Sequence, residues 1–168
     1  ELSGKPCAML PTPLPTALED AASVFKDDAT EQSRLLFGVT GDARRGKNLH
    51  VLPAAIIRYL REGGKGNFRI QMTPSEVEAH PEVIALAEVA TLFPQRVQII
   101  LDRLKEQEYY SGIASLSAMI LPHSPQAYNL FRPSGPAIEA AALGVPLISC
   151  AGGFIEDEIG PLENGSIF

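Results

Sequence analysis

Short apolar runs and amphipathic stretches alternate along most of the chain. Runs at residues 35–39, 96–101, 117–121 and 145–148 predict β-strands, and a fifth strand is predicted at 67–72, where apolar and polar residues alternate. Helices are predicted between and after these strands, at residues 48–62, 81–92, 104–113, 137–143 and from about residue 154. This alternation predicts an α/β fold, in which helices cover a doubly wound parallel sheet.

Residues 1–30 have a different pattern, because Pro6, Pro11, Pro13 and Pro15 stand close together. Such spacing predicts a stiff connector, preceded by a short strand at residues 7–10. The remaining residues, 31–168, are enough for one domain with a core of its own.

Basic, hydroxyl and glycine residues follow the predicted strands. The carboxyl ends of parallel strands meet at one edge of the sheet, where open α/β sheets bind their ligands. The residues expected at that edge are Arg44, Arg45, Lys47, Thr73, Ser75, Asp102, Arg103, His123, Tyr128, Arg132, Ser134, Gly152 and Gly153. This local excess of cations and hydroxyls predicts an anionic ligand that carries phosphate.

The helix at 137–143 has a clear start and a clear end. Ser134 or Gly135 is a suitable N-cap, Pro136 suits the first turn, and Gly144 suits the residue after the end. A helix N-terminus offers unpaired N–H groups and partial positive charge, which favour phosphate. Glu139 lies one turn inside and is placed either to meet solvent or to bind hydroxyl groups.

Composition and missing motifs exclude several classes of protein. The net charge is −6, so we expect no nucleic-acid partner, and no apolar run approaches the roughly 20 residues of a membrane span. The sequence lacks a P-loop, zinc-ligand spacing and a G-x-G-x-x-G after the first strand. We attribute the acidic triplet at residues 156–158 to a helix start, so no metal site and no cofactor are predicted.

The ligand-edge residues resemble the nucleotide-sugar motif of retaining GT-B glycosyltransferases of the group 1 type. The matching residues are Tyr128, Arg132-x-Ser134-Gly135, Glu139-Ala140 and Gly144-x-Pro146, preceded by a basic loop with Arg44 and Lys47-Asn48. The resemblance covers most of residues 35–153 in the family's order. It implies that this chain is one half of a GT-B fold, the Rossmann-like domain that binds the donor.

The resemblance also implies a role for each site residue. Arg44 or Arg45, with Lys47, would hold the diphosphate of a UDP- or GDP-linked sugar. Ser134 and Gly135 would donate backbone N–H groups to it, and Glu139 would accept the ribose hydroxyls. Arg44, Lys47 and Glu139 would be the catalytic residues.

In one respect this sequence departs from the family pattern, because Phe131 stands where a second Glu normally contacts the sugar. Recognition of the sugar ring would then shift to Tyr128, His123 or Arg132. By itself, however, His123 fits a loop histidine better than a catalytic one.

For the whole protein, the resemblance implies a metal-independent enzyme with a further, N-terminal domain that binds the acceptor. The fragment alone would be inactive. We expect a cytoplasmic location, with the inner membrane face as one option, and a role in cell-envelope polysaccharide synthesis. Two alternatives remain open from the residues: a GT-B-type sugar-nucleotide epimerase, and a regulatory or interaction module without enzymatic activity.

Overall fold

The computed structural model describes residues 18, 35–44, 46–73, 80–128, 134–152, 155–156 and 165–167. Within these residues the chain forms six strands: β1 (Leu36–Thr40), β2 (Asn67–Gln71), β3 (Val97–Ile100), β4 (Ala118–Leu121), β5 (Leu147–Ser149) and β6 (Gly165–Ile167). Four α-helices accompany them: α1 (Leu52–Arg61), α2 (Pro81–Leu92), α3 (Glu106–Ala114) and α4 (Gly135–Ala142). The five predicted strands are confirmed to within two residues at each end.

All six strands belong to one parallel sheet, in the order β3-β2-β1-β4-β5-β6. The chain builds outward from β1 through β2 to β3 and then crosses back to β4 on the other side of β1. In such doubly wound sheets the ligand crevice opens where the strand order reverses, at the carboxyl ends of the two central strands. Here those strands are β1 and β4.

Two apolar cores lie on opposite faces of the sheet. Helices α1 and α2 cover one face, where Leu52, Ile56 and Leu86 pack on Phe68 and Ile70. Helices α3 and α4 cover the other face, and the members of that core include Ile113, Met119, Leu121, Ala137, Ala140 and Leu147. Leu18, from the segment predicted as a connector, is buried in the second core as well. Because both faces are covered, the central strands read as continuous apolar runs.

The first predicted helix begins later than its apolar stripe suggests. Asn48 has a left-handed backbone, with φ of 49°, and a 3₁₀ turn at Leu49–Val51 precedes α1. Helix α2, in contrast, occupies the residues predicted for it, 81–92. The strand predicted at residues 7–10 and most of the helix predicted from residue 154 lie outside the described residues.

Candidate functional site

A cleft of about 800 Å³ opens at the carboxyl ends of β1 and β2, and the segments that follow β3 and β4 also line it. The loop after β1 lines it with Asp42, Arg44 and Lys47, helix α3 with Tyr109, and the first turn of α4 with Gly135 and Pro136. Tyr128, from the segment after β4, lines it too. The structure therefore brings together residues that are up to 95 positions apart in the sequence, from Gly41 to Pro136.

Lys47 is the most buried charged side chain described at the cleft, with only 7% of its surface exposed. Burial lowers the pKa of its ammonium group to about 8, although Asp42 and Glu139 act in the opposite direction. Among the described residues, Lys47 forms no ion pair with a carboxylate. Its Nζ lies 2.8 Å from the point where a Cβ on Gly41 would stand, so a larger residue there would displace it. A buried cation without such a partner is well suited to bind an anion.

Arg44 differs from Lys47 in both exposure and pairing. Its side chain is 54% exposed, and one guanidinium nitrogen, Nη2, lies 2.5 Å from Oδ2 of Asp42. This ion pair is open to solvent, so it is weak and can rearrange when a ligand arrives. Arg45, the third predicted cation of this loop, lies outside the described residues.

The basic loop is braced by the segment that follows β4. The Ser124 amide donates a hydrogen bond to the Gly46 carbonyl, with an N–O distance of 2.7 Å. Gly46 has a φ of 91°, and a Cβ at this position would lie only 2.6 Å from the Cβ of Ala127. Glycine is therefore required here both by the backbone conformation and by the close approach of the second loop.

His123 and Tyr128 form a stacked pair beneath this contact. Their ring centroids are 4.1 Å apart and the rings are nearly parallel, at 16°. Burial, together with the charge of Lys47, lowers the pKa of His123 to about 3, so its imidazole is neutral at physiological pH. Its buried Nδ1 has no hydrogen-bond partner among the described residues. His123 lies in the loop after β4 and is not among the residues that line the cleft.

The start of α4 is built as its sequence predicts. Ser134 is the N-cap, with an extended backbone, and its Oγ accepts a long hydrogen bond of 3.4 Å from the Ala137 amide. Pro136 follows in the first turn. The side chain of Ser134 is buried and engaged in the cap, so it is not available to a ligand in the cleft. The N-terminal end of α4 faces the cleft through Gly135 and Pro136.

Glu139 lies one turn further along α4 and is hydrogen-bonded to a residue that the sequence did not point to. The hydroxyl of Tyr109 donates to Oε2 of Glu139, with an oxygen–oxygen distance of 2.8 Å. Burial raises the pKa of Glu139, while the Tyr109 hydrogen bond and Lys47 favour its charged form. Burial and the charge of Glu139 also raise the pKa of Tyr109, so the phenol keeps its proton and is the donor.

The side chain of Gln71, at the end of β2, links the ends of β1 and β2 to the segment that follows β3. Oε1 of Gln71 accepts a hydrogen bond of 2.8 Å from Thr40, and its Nε2 donates to the Asp102 carbonyl at 3.4 Å. Gln71 is buried and lines the cleft. Its position at the end of β2 was the one signal in the sequence that could have identified it.

Part of the predicted site cannot be placed. Phe131 and Arg132 lie outside the described residues, as Ser75 and Gly153 do. Across the described ranges, no three side chains of the metal-ligating types come close enough to hold a metal ion. The described helices include none that is both long and apolar enough to cross a membrane.

Neither a protein-family model nor a curated protein matches the chain. Solved structures do. The catalytic domain of starch synthase IV from Arabidopsis thaliana, bound to ADP and acarbose, is 20% identical with a TM-score of 0.58, and the match covers 85% of this chain and 28% of that one. The UDP-forming α,α-trehalose-phosphate synthase of Burkholderia xenovorans, in complex with glucose-6-phosphate, is 13% identical with a TM-score of 0.66, over 90% and 37% of the two chains.

A third match is itself described as a C-terminal domain. It belongs to the glycosyl transferase group 1 family protein LpcC from Francisella tularensis, and is 20% identical with a TM-score of 0.55, over 80% of this chain and 67% of that one. The chain thus spans about a third of the first two proteins and two thirds of the third. Likeness at these identities establishes the fold. The prediction of a doubly wound, Rossmann-like domain is confirmed, and the domain has the architecture of one part of GT-B glycosyltransferases.

Proposed function

We propose that this chain is the donor-binding domain of a retaining GT-B glycosyltransferase, which transfers a sugar from a nucleoside diphosphate to an acceptor. The observation that carries the proposal is that Lys47 and the first turn of α4 line the same cleft, at the point where the strand order reverses. A buried cation and a helix N-terminus there offer two different means of holding a diphosphate.

The charges of the site suit the departure of a diphosphate. As the bond from sugar to phosphate breaks, negative charge grows on the leaving group, and groups that are already in place stabilise it without reorganising. Lys47 supplies this charge from a buried position, and Arg44 adds to it from the cleft wall after leaving Asp42. Arg45 would act with them in the same loop.

The rest of the nucleotide sugar extends along α4. Backbone N–H groups of Ser134 and Gly135 meet the diphosphate, and Glu139 accepts hydrogen bonds from the ribose. Tyr128, His123 and Arg132 are the residues proposed for the sugar ring, because Phe131 replaces the carboxylate that contacts it in the family pattern.

Titration calorimetry of the 168-residue chain with UDP, ADP, GDP and inorganic diphosphate tests this proposal. We expect one nucleoside diphosphate to bind in roughly the micromolar-to-millimolar range, more tightly than inorganic diphosphate. Replacing Glu88, an exposed carboxylate on α2, by Gln serves as a control and should leave binding unchanged. If none of the three nucleotides binds, the regulatory or interaction module is the better proposal.

The finer parts of the proposal need the longer protein. With an N-terminal acceptor-binding domain in place, sugar transfer should appear, persist in the presence of EDTA, and keep the anomeric configuration of the donor. The isolated chain should transfer nothing, because one wall of a cleft neither excludes water nor aligns an acceptor. Release of an isomerised nucleotide sugar without an acceptor would favour the epimerase.

A further inference from the structure

Tyr109 and Tyr110 are neighbours on α3, but they point to different surroundings. Tyr110 is 5% exposed and belongs to the apolar core beneath α3 and α4. Tyr109 is half-buried and lines the cleft, and its hydroxyl binds Glu139. The two rings contact each other edge to face, with centroids 5.3 Å apart. Only one of two chemically identical side chains thus reaches the ligand side of the domain.

The hydrogen bond from Tyr109 leaves Glu139 with one oxygen uncommitted. Oε2 accepts the phenolic proton, whereas Oε1 is turned toward Gly135 and lies 4.0 Å from the point where a Cβ on Gly135 would stand. Gly135 itself lines the cleft. The carboxylate is therefore fixed in one orientation, with its free oxygen on the side of the residue that begins α4.

The phenolic oxygen also interacts with the Thr40 hydroxyl, but Thr40 donates its own proton to Gln71, so Oη of Tyr109 keeps the capacity to accept a hydrogen bond. A hydroxyl that donates its own proton to a carboxylate becomes a better acceptor, because hydrogen bonds in a chain polarise one another. Oη of Tyr109 and Oε1 of Glu139 thus form a pair of adjacent acceptors. A pair of this kind suits the two neighbouring hydroxyl groups of a ribose, each of which has one hydrogen to donate.

We propose that Tyr109 is a ribose-binding residue of the site, acting with Glu139 as a joint acceptor for the 2′- and 3′-hydroxyl groups. The inference rests on the proposed function and adds to it a residue from α3, the helix that precedes β4. This residue lies outside the sequence motif that predicted the site. It also assigns a reason for the half-buried position of the Glu139 carboxylate, which the Tyr109 hydrogen bond holds in place.

The test uses Tyr109→Phe, with Tyr110→Phe as the matched control, and whichever of UDP, ADP or GDP binds the unchanged chain. Each protein is titrated with the ribonucleotide and with its 2′-deoxy and 3′-deoxy forms. In the unchanged chain, loss of either hydroxyl should weaken binding about five- to tenfold. Tyr109→Phe should weaken binding of the ribonucleotide by a similar factor. It should weaken binding of one deoxy form, the one that lacks the hydroxyl bound by Tyr109, by less than about twofold. Tyr110→Phe should change neither.

A double variant supplies a second readout. If the two side chains act as one acceptor, their effects should not add. In a chain that already carries Glu139→Gln, Tyr109→Phe should weaken binding of the ribonucleotide by less than about twofold. The inference is overturned if Tyr109→Phe weakens the ribonucleotide and the deoxynucleotides equally, or leaves both unchanged. It is also overturned if neither deoxynucleotide binds the unchanged chain more weakly, a result that needs no variant. Failure of all three ribonucleotides to bind the unchanged chain would instead reject the proposed function.

Discussion

On one side of the cleft, the loop after β1 keeps Lys47 buried without a carboxylate partner among the described residues. On the other side, Tyr109 lines the cleft and its hydroxyl donates a hydrogen bond to Glu139 of α4. Burial disfavours the charged form of both side chains, and the difference lies in their partners: Glu139 accepts a hydrogen bond from Tyr109, whereas Lys47 is favoured only by the charges of Asp42 and Glu139. We therefore expect the two sides to recognise different parts of the proposed nucleotide by different physical means.

This difference has consequences that can be measured. Attraction between charges is screened by salt and depends on the protonation of Lys47. Hydrogen bonding to a ribose depends instead on which hydroxyl groups are present, and salt affects it little. A ligand that spans the cleft should therefore lose its diphosphate contacts and its ribose contacts independently.

The largest effect is expected for Lys47→Met, compared with Arg44→Met from the same loop. Loss of a buried charge partner should weaken nucleoside diphosphate binding about 30- to 100-fold. Arg44 is exposed and paired with Asp42, so its loss should cost only about two- to fivefold. Calorimetry at low and high salt measures the affinity of both variants for the nucleoside diphosphate. Equal losses of affinity would show that burial does not distinguish the two cations.

Lys47→Met should also stabilise the folded domain. In the folded chain the pKa of Lys47 is about 8, below the ordinary value of 10.5, so the burial of its charge destabilises the fold at pH 7. An apolar side chain of similar length removes that cost, and the melting temperature should rise. A lower melting temperature would mean that Lys47 is a structural cation and not one kept for a ligand.

The next effect is that of Glu139→Gln. Because charge-assisted hydrogen bonds from the ribose are lost, nucleoside diphosphate binding should weaken about tenfold. Binding of inorganic diphosphate, which has no ribose, should not weaken at pH 6, where Lys47 stays protonated even without the charge of Glu139 to favour its ammonium form. If both ligands were weakened alike, Glu139 would act on the phosphate side and the separation of the two sides would be wrong.

The pH dependence of binding tests the charged side separately. Lys47 is protonated below its pKa of about 8 and becomes neutral above it. Inorganic diphosphate also loses protons between pH 7 and pH 9.5, so the profile is compared with that of Lys47→Met, in which only the ligand titrates. Relative to that variant, the unchanged chain should lose about five- to tenfold in affinity over this range. If the two profiles are parallel, Lys47 does not contact the diphosphate.

Much of the fold could be predicted from the sequence, because a parallel sheet covered on both faces leaves continuous apolar runs. Strand β6 was missed, since its three residues, Gly165–Ile167, include a glycine and a serine and no apolar run. The helix at residues 137–143 was predicted from its cap and its proline, and the structure begins it two residues earlier, at Gly135.

The candidate site was predicted less completely than the fold. The cleft collects Arg44, Lys47, Tyr128 and Gly135, as loops at the ends of parallel strands should. Tyr109 was missed, because it is 30 residues from Glu139 and only the packing of α3 against α4 brings the two together. Nor does any local pattern distinguish the buried Lys47 from the exposed Arg44, since burial depends on the second loop that covers the first.

The smallest effect is expected at Ser134, which supports the hydrogen-bonding side without meeting the ligand through its side chain. Its cap to the Ala137 amide is long, at 3.4 Å, so Ser134→Ala should lower the free energy of unfolding by only about 0.5–1 kcal/mol. Ser134→Gly should cost less, a few tenths of a kcal/mol, because glycine lets water reach the freed amide. Denaturant titration of the three proteins measures this order. Nucleoside diphosphate affinity should change less than about twofold in either variant, since the N–H groups proposed to meet the diphosphate belong to the backbone. A loss as large as that of Glu139→Gln would place the Ser134 hydroxyl in the ligand site.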